Sequence, residues 1–403
     1  MSAESSTAFR VAGVRLATAA AGIRYSGRED LVLMELAPGT QTAAVFTQNA
    51  FCAAPVTLAR QHLNVTSPRY LLINSGNANA GTGARGLADA RACCALVADQ
   101  AGCAANQVLP FSTGVIGEYL PVARIGTALP PLFQGLRADA WEAAARAIMT
   151  TDTQPKLVRR QFELNGHRAT LVGIAKGAGM ICPNMATMLA FVATDLAIAE
   201  GPLRSSLNTA VASTFNAISI DGDTSTNDAC LLAATGALGN PLLEDGDPKG
   251  LAIWQQVLDD LCLELATAIV RDGEGATKLV RVAVREASTC DEARLVAETI
   301  AHSPLVKTAL FAGDPNWGRI LAAVGRAGVV GLDIDRVTIW LDDVRIVAGG
   351  GRDPDYREEH GARVMAQDSF KIEVHLGRGS AELRMLTCDL SYDYVRINAE
   401  YRS

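Results

Sequence analysis

Residues Lys176 to Asp195 read KGAGMICPNMATMLAFVATD and concentrate chemical potential in twenty positions. Gly177, Gly179, Pro183 and Asn184 make the first half turn chemistry, since glycine opens backbone angles that other residues avoid and proline fixes one. The second half, from Thr187 to Ala193, is an unbroken apolar run that opens on a hydroxyl. A threonine hydroxyl is a poor nucleophile until a base takes its proton. Breaking the bond between Ala186 and Thr187 would supply that base, because Thr187 would gain an α-amine of pKa about 8 on its own Cα. Attack of a hydroxyl on the preceding carbonyl needs a distorted backbone, and the upstream glycines and proline suit such a loop. The same pattern also fits a plain joint between a loop and a strand, with the Thr187 hydroxyl satisfied locally.

Other stretches offer partners for such chemistry. Ser112-Thr113-Gly114 follows a short apolar run, where small residues let backbone N–H groups point at a ligand; it is also a common loop tripeptide. Asn74 to Asn79, rich in amides, can present donors to an anion or close into an Asx-rich turn. Lys176 ends a strand eleven residues before Thr187 and can be a surface ammonium or a point charge for a substrate carboxylate. Glu274 stands between Gly273 and Gly275, where the backbone could approach a substrate and the carboxylate receive an ammonium or assist proton transfer. Three aspartates in SIDGDTSTND (219–228) hint at a divalent cation, but they lack the alternation and closing glutamate of a calcium loop. A hydrogen-bonded loop is the better reading of them. Cys182 invites a nucleophilic reading, against that of a small buried hydrophobe. The five histidines share no catalytic or metal-binding spacing, which suits a nucleophile that carries its own base.

The elements that must position these groups follow from periodicity and breakers. Residues 29–36 and 42–47 read as a strand pair about Pro38-Gly39, and 69–73 and 107–111 as further strands. A helix carries Leu87, Ala90, Cys94 and Val97 and stops at Gly102. Residues 139–150 read as a helix, and 158–163 with 168–175 as a hairpin about Asn165-Gly166. The apolar strand 187–194 and a helix over 203–215 follow. A surface loop (238–250) leads to an amphipathic helix through Leu251, Trp254, Leu258, Leu261 and Leu265. Beyond it come strand 278–286, helix 291–302, strand 305–311, and a helix from Trp317 to Val324 capped by Gly313 to Asn316. Strands 337–342, 371–376 and 381–388 follow, the last two paired, and then a polar tail.

Composition narrows the class of function. The chain has 403 residues, 49% hydrophobic and 20% charged, with a net charge of −7. That balance argues against nucleic acid as a partner, which calls for a basic face. There is no basic leader followed by an apolar core and no run of about 18 apolar residues, so no membrane partner is expected. Nine scattered cysteines, with no C-x-x-C, read as reduced thiols in a cytoplasmic protein rather than as a disulfide frame or a metal site.

The run KGAGMICPNMATMLAFVATD closely resembles the self-cleaving segment of the ornithine acetyltransferases of arginine biosynthesis. Similar segments recur in order along essentially the whole chain: FTQNAFCAAPV (46–56), INSGNANAGTG (73–83), STGVIGEYLP (112–121), IMTTDTQPK (148–156), SIDGDTSTND, RDGEGATK (271–278), GDPNWGRI (313–320) and INAEY (397–401). The resemblance implies a layered α/β sandwich with mixed sheets covered by helices. It implies cleavage between Ala186 and Thr187 into an α chain, residues 1–186, and a β chain, residues 187–403, assembled as an (αβ)2 heterotetramer. Thr187 would be the nucleophile, and Thr113 with Gly114 the oxyanion hole. Thr153, Lys176, Thr187, Glu274, Asn398 and Ser403 would contact substrate; many relatives carry Thr at that last position. The acetyl group of N-acetylornithine would pass through Thr187 to glutamate, with no metal or cofactor, and acetyl-CoA would be a further co-substrate in bifunctional members. Two other readings are an N-terminal-threonine amidohydrolase or aminopeptidase that passes its acyl group to water, and an uncleaved amino-acid-binding protein.

Overall fold

The computed structural model describes residues 9–182 and 188–401. The chain divides into two compact units: Met1–Gly177, Asn184–Asn216 and Thr224–Ala266 form the first, and Ala178–Pro183, Ala217–Asp223 and Thr267–Ser403 the second. Each unit takes residues from both sides of residue 186.

Unit 1 carries β1 (Val14–Ala19), β2 (Leu31–Leu36), β3 (Gln41–Phe46), α1 (Ala54–Leu63), β4 (Tyr70–Asn74), α2 (Gly83–Ala101), β5 (Val108–Ser112), α3 (Val122–Gln134), α4 (Trp141–Ala147), β6 (Lys156–Leu164), β7 (His167–Lys176), β8 (Leu189–Thr194) and α5 (Glu200–Ser213). After β9 (Ile218–Ser219), which belongs to unit 2, β10 (Ala229–Ala234) returns to unit 1, and α6 (Pro248–Arg271) leads out of it. Its strands form two sheets, in the orders β1-β2-β4-β5 and β3-β10-β8-β7-β6.

Alternation along the strands builds a core between these sheets. Leu16, Met34, Ile73 and Phe111 face it from one side, and Ile174, Phe191 and Leu231 from the other. Phe111 and Phe191 meet edge to face with centroids 5.0 Å apart, an arrangement that contributes about 0.5–1.5 kcal/mol beyond burial. The far face of the first sheet, with Leu33, Leu72 and Val108, is covered by α2 and α3 through Cys94, Val97 and Leu129. On the far face of the second, β7 passes so close to α6 that a Cβ on Gly173 would lie 2.8 Å from Leu261 and 3.0 Å from Leu265. The result is the expected layered α/β sandwich, helix on sheet on sheet on helix. At its centre β8, buried along its whole length, pairs antiparallel with β7 and parallel with β10.

Unit 2 continues with β11 (Leu279–Ala287), α7 (Cys290–Ala301), α8 (Pro304–Ala312), α9 (Trp317–Gly325), β12 (Thr338–Leu341), β13 (Val344–Ala348), β14 (Gly351–Arg352), α10 (Glu358–Met365), β15 (Ser369–His375), β16 (Ala381–Cys388) and α11 (Tyr392–Ala399). Its sheet runs β14-β13-β12-β15-β11-β16-β9. Val282, Val284, Ile339, Ile372 and Val374 share one core with Val296 and Ile300 of α7, Leu310 of α8 and Ile320 of α9.

Several elements differ from expectation. Residues 305–311 are helix, not strand: Ser303 accepts a hydrogen bond from the Val306 N–H, Pro304 takes the first turn, and Gly313 ends the helix in a left-handed conformation. β2 and β3 are not a hairpin, because the Pro38-Gly39 turn hands the chain from one sheet to the other. β15 and β16 do not pair with each other but flank β11 on either side. The polar tail from Ile397 begins inside α11, which ends at Ala399.

Gly173→Val forces a branched side chain against α6, and overpacking of this kind costs about 1–3 kcal/mol. A lowered thermal midpoint checks it, and an unchanged one contradicts this layer contact.

Candidate functional site

In unit 1 the chemically active residues gather where strands end. The register of the second sheet sets Lys176, Leu189, Ala229 and Phe46 in one row across β7, β8, β10 and β3. In the first sheet Asn74 stands beside Ser112 at the ends of β4 and β5.

The amide-rich run after β4 is a braced turn. Asn74 Nδ2 donates to the Asn77 carbonyl at 2.8 Å, the Asn79 N–H to Asn77 Oδ1 at 2.7 Å, and Asn79 Nδ2 to the Gly86 carbonyl at 2.9 Å. Ser112 Oγ donates to Asn74 Oδ1 at 2.6 Å. The Thr113 N–H donates to the Asn74 carbonyl at 2.9 Å. Gly114 lies flat against this turn: at φ +133° its Cβ would fall 2.3 Å from the carbonyl carbon of Gly76, so only glycine fits. From the aspartate-rich loop, Asn227 Nδ2 donates to the carbonyls of Ala78 and Ser112, at 2.6 and 2.9 Å. That loop braces its neighbours through hydrogen bonds, as expected.

Lys176 is not a surface ammonium, being only 8% exposed. Its Nζ lies 3.9 Å from Asp152 Oδ2. Asp152 is buried and accepts from Lys156 Nζ (2.6 Å), the Gly177 N–H (2.7 Å) and the Thr150 N–H (3.0 Å). Burial pushes the Asp152 carboxyl up, but Lys176, Lys156 and the Gly177 N–H outweigh that and hold its pKa at about 2. Asp228 shows the opposite balance. It is also buried, and its Oδ2 has no hydrogen-bond partner among the described residues. Burial drives its pKa well above the ordinary value, with Lys176 pulling the other way. Lys176 thus faces one carboxylate held below its ordinary pKa and one that burial pushes above it. Thr153, next to Asp152, is exposed.

Unit 2 holds the second group. Glu274 is buried, donates its N–H to the Ala178 carbonyl at 2.8 Å and accepts from Asn398 Nδ2 on α11 at 2.8 Å. A Cβ on Gly179 would sit 2.6 Å from the Glu274 carboxylate, so this glycine is what lets the two segments close. The expected pair Glu274 and Asn398 is therefore in direct contact. Cys182 is buried, with Sγ 3.7 Å from His302 Nε2. Burial, then Glu298 and Asp221, push its thiol pKa up to about 12. Burial thus favours the protonated thiol, the poorer nucleophile. Ala186, Thr187 and Ser403 lie outside the described residues.

Sequence reasoning missed Asp152, Lys156 and Asp228. The spacing of Asp152 and Lys156 by four was visible, but their burial was not. Among the described residues no group of three or more metal-ligating side chains comes together, and no helix is long and apolar enough to cross a membrane.

The profile of the ArgJ family matches residues 15–403. An arginine biosynthesis bifunctional protein ArgJ from Methylococcus capsulatus (strain ATCC 33009 / NCIMB 11132 / Bath) is 63% identical over 393 residues, 98% of this chain and 96% of its own. Its counterpart from Pseudomonas fluorescens (strain Pf0-1) is 51% identical over 98% of this chain and 97% of its own. A solved arginine biosynthesis bifunctional protein argJ from Bacillus halodurans is 40% identical with a TM-score of 0.51, and its whole chain is covered by 53% of this one.

Asp152 also predicts an acid response. Its folded pKa of about 2 lies below the value of about 3.9 expected when unfolded. Its contribution to stability is therefore present above pH about 4 and lost as pH falls towards about 2. Asp152→Asn, which leaves two nearly buried ammonium groups without that charge, costs about 3–5 kcal/mol at neutral pH. Thermal midpoints across pH 2–7 check both: the variant's profile is lower and flatter in the acid range.

Proposed function

The chain belongs to the ArgJ family, and on that footing we propose that it is an acetyltransferase of arginine biosynthesis that works through a cut in its own backbone. In the first stage the Thr187 hydroxyl attacks the Ala186 carbonyl. The C–N bond breaks, an ester forms on Oγ, the proton passes to the freed amine, and water hydrolyses the ester. In the second, Thr187 attacks the acetyl carbonyl of N-acetylornithine with its α-amine as base. Ornithine leaves, and glutamate takes the acetyl group from Thr187.

Individual residues supply the parts. The Thr113 N–H is already given to Asn74. This residue therefore offers its hydroxyl, and Gly114 its N–H, to the oxyanion. Lys176 is the partner for the α-carboxylate common to both substrates, as a point charge at the end of β7. Glu274, held by Asn398, suits the substrate ammonium. Thr153 and Ser403 complete the proposed contacts. No metal or cofactor takes part, because one acyl bond is exchanged for a similar one. Acetyl-CoA is proposed as a further donor, as the word bifunctional in the relatives' names suggests.

The observation that carries this reading is β8. It begins two residues after Thr187 and is hydrogen-bonded on both sides, to β7 from before the proposed cut and to β10 from after it. Cut products would stay together without their covalent link. The solved relative, whose whole chain is covered by about half of this one, has the length one such product would have. We extend the proposal to an (αβ)2 assembly in the cytoplasm, where the nine unpaired thiols would stay reduced.

Thr187→Ala is expected to remain a single chain on a denaturing gel and to move no label from N-[14C]acetylornithine, labelled in the acetyl group, to glutamate. Thr187→Ser is expected to cut and turn over, slowly. Two fragments from Thr187→Ala would end the mechanism, and release of labelled acetate alone by the unaltered protein would point to a hydrolase.

A further inference from the structure

The aspartate-rich loop holds one residue with a role beyond bracing. Within unit 2, the strap Ala178–Cys182 is fastened at every position. The Ala178 carbonyl accepts the Glu274 N–H, and Gly179 sits against the Glu274 carboxylate. The N–H groups of Met180 and Ile181 both donate to Asp221, at 2.7 Å to Oδ2 and 2.9 Å to Oδ1. The Ile181 carbonyl accepts from the Ile220 N–H (2.9 Å) and from Ser219 Oγ (3.1 Å). Cys182 rests on His302.

The demanding position is Met180. Its φ is +56°, a left-handed conformation that residues with a Cβ avoid. Its side chain is 38% exposed, so packing does little to hold it. The backbone bonds to Asp221 do. Asp221 is itself fixed by the Asp223 N–H at 3.2 Å and the Tyr394 hydroxyl at 3.3 Å. Burial raises its pKa above the usual value while the N–H donors pull it back, and four donors on two oxygens is the pattern of an ionised acceptor. A strained backbone over-determined by its surroundings marks functional segments.

We propose that Asp221 is a positioning residue for self-cleavage, clamping the strap Ala178–Cys182, which ends four residues before Ala186. The inference rests on the cleavage mechanism above. It also gives Asp221 a lasting role. The strap belongs to the portion before the cut, and Asp221, Glu274 and Tyr394 to the portion after it. The clamp therefore keeps Gly179 seated on Glu274 once the chain is severed, and so shapes the Glu274 subsite.

Asp221→Asn tests it in the full chain, because an amide can accept one of the two N–H groups but turns its own N–H₂ toward the other. Losing a charged acceptor of this kind is expected to slow self-cutting roughly ten- to a hundred-fold, read as uncut precursor over time after synthesis. Adding Met180→Gly, which needs no help to adopt the left-handed conformation, is expected to restore most of the rate. The cut fraction of Asp221→Asn is expected to show a raised KM for N-acetylornithine with kcat little changed. Cutting at the unaltered rate overturns the clamp. So does slow cutting that Met180→Gly leaves unrestored alongside a fallen melting temperature, since that is general loss of fold. Thr187→Ala run in parallel separates the two claims: if it is cut, the mechanism beneath the proposal fails, whereas a normal rate in Asp221→Asn with Thr187→Ala intact removes the clamp alone.

Discussion

The constraint on which everything else depends is that the chain on either side of residues 183–187 must be held independently. β8 meets it by standing at the centre of a five-stranded sheet, with β7 on one side and β10 on the other. Its backbone groups are paired and its side chains buried on both faces, so the covalent link to the preceding residues is not what keeps it in place. A protein built this way can lose one peptide bond and keep its fold. The strap Ala178–Cys182 obeys the same rule in unit 2, where every residue is fastened by groups distant in sequence.

Electrostatics then distinguishes the two groups of residues. In unit 1 two lysines converge on Asp152, and a second carboxylate, Asp228, is too deeply buried to ionise readily. Such a group is expensive to desolvate and weak as a source of stability. Function explains it better, since it fixes the Lys176 ammonium at the end of β7. In unit 2 a carboxylate, Glu274, is held by Asn398 and closed over by Gly179.

Much of this was legible in the sequence where local chemistry decides structure. Asn165-Gly166 gives the β6–β7 hairpin its turn, Gly102 stops α2, and the apolar run after Thr187 suits a strand covered on both faces. What was not legible depends on partners far away. Residues 305–311 are apolar enough for a strand, and only the Ser303 cap with Pro304 tips them to helix. A Pro-Gly turn does not say whether it joins neighbours in one sheet or strands of two, which is why β2 and β3 read as a pair. Asp152 looks like a turn residue among hydroxyls, since nothing local shows that Lys156 and Lys176 are buried with it. Asp221 looks like one of three similar acids, and only the position of Met180 and Ile181 singles it out.

The most direct test of the central claim is the covalent state of the unaltered, active protein, read by intact mass under native and denaturing conditions with N-terminal sequencing. The account predicts one assembly that separates on denaturation into two polypeptides, the second beginning at Thr187. A fully active protein that remains one continuous chain through residues 186 and 187 would contradict it.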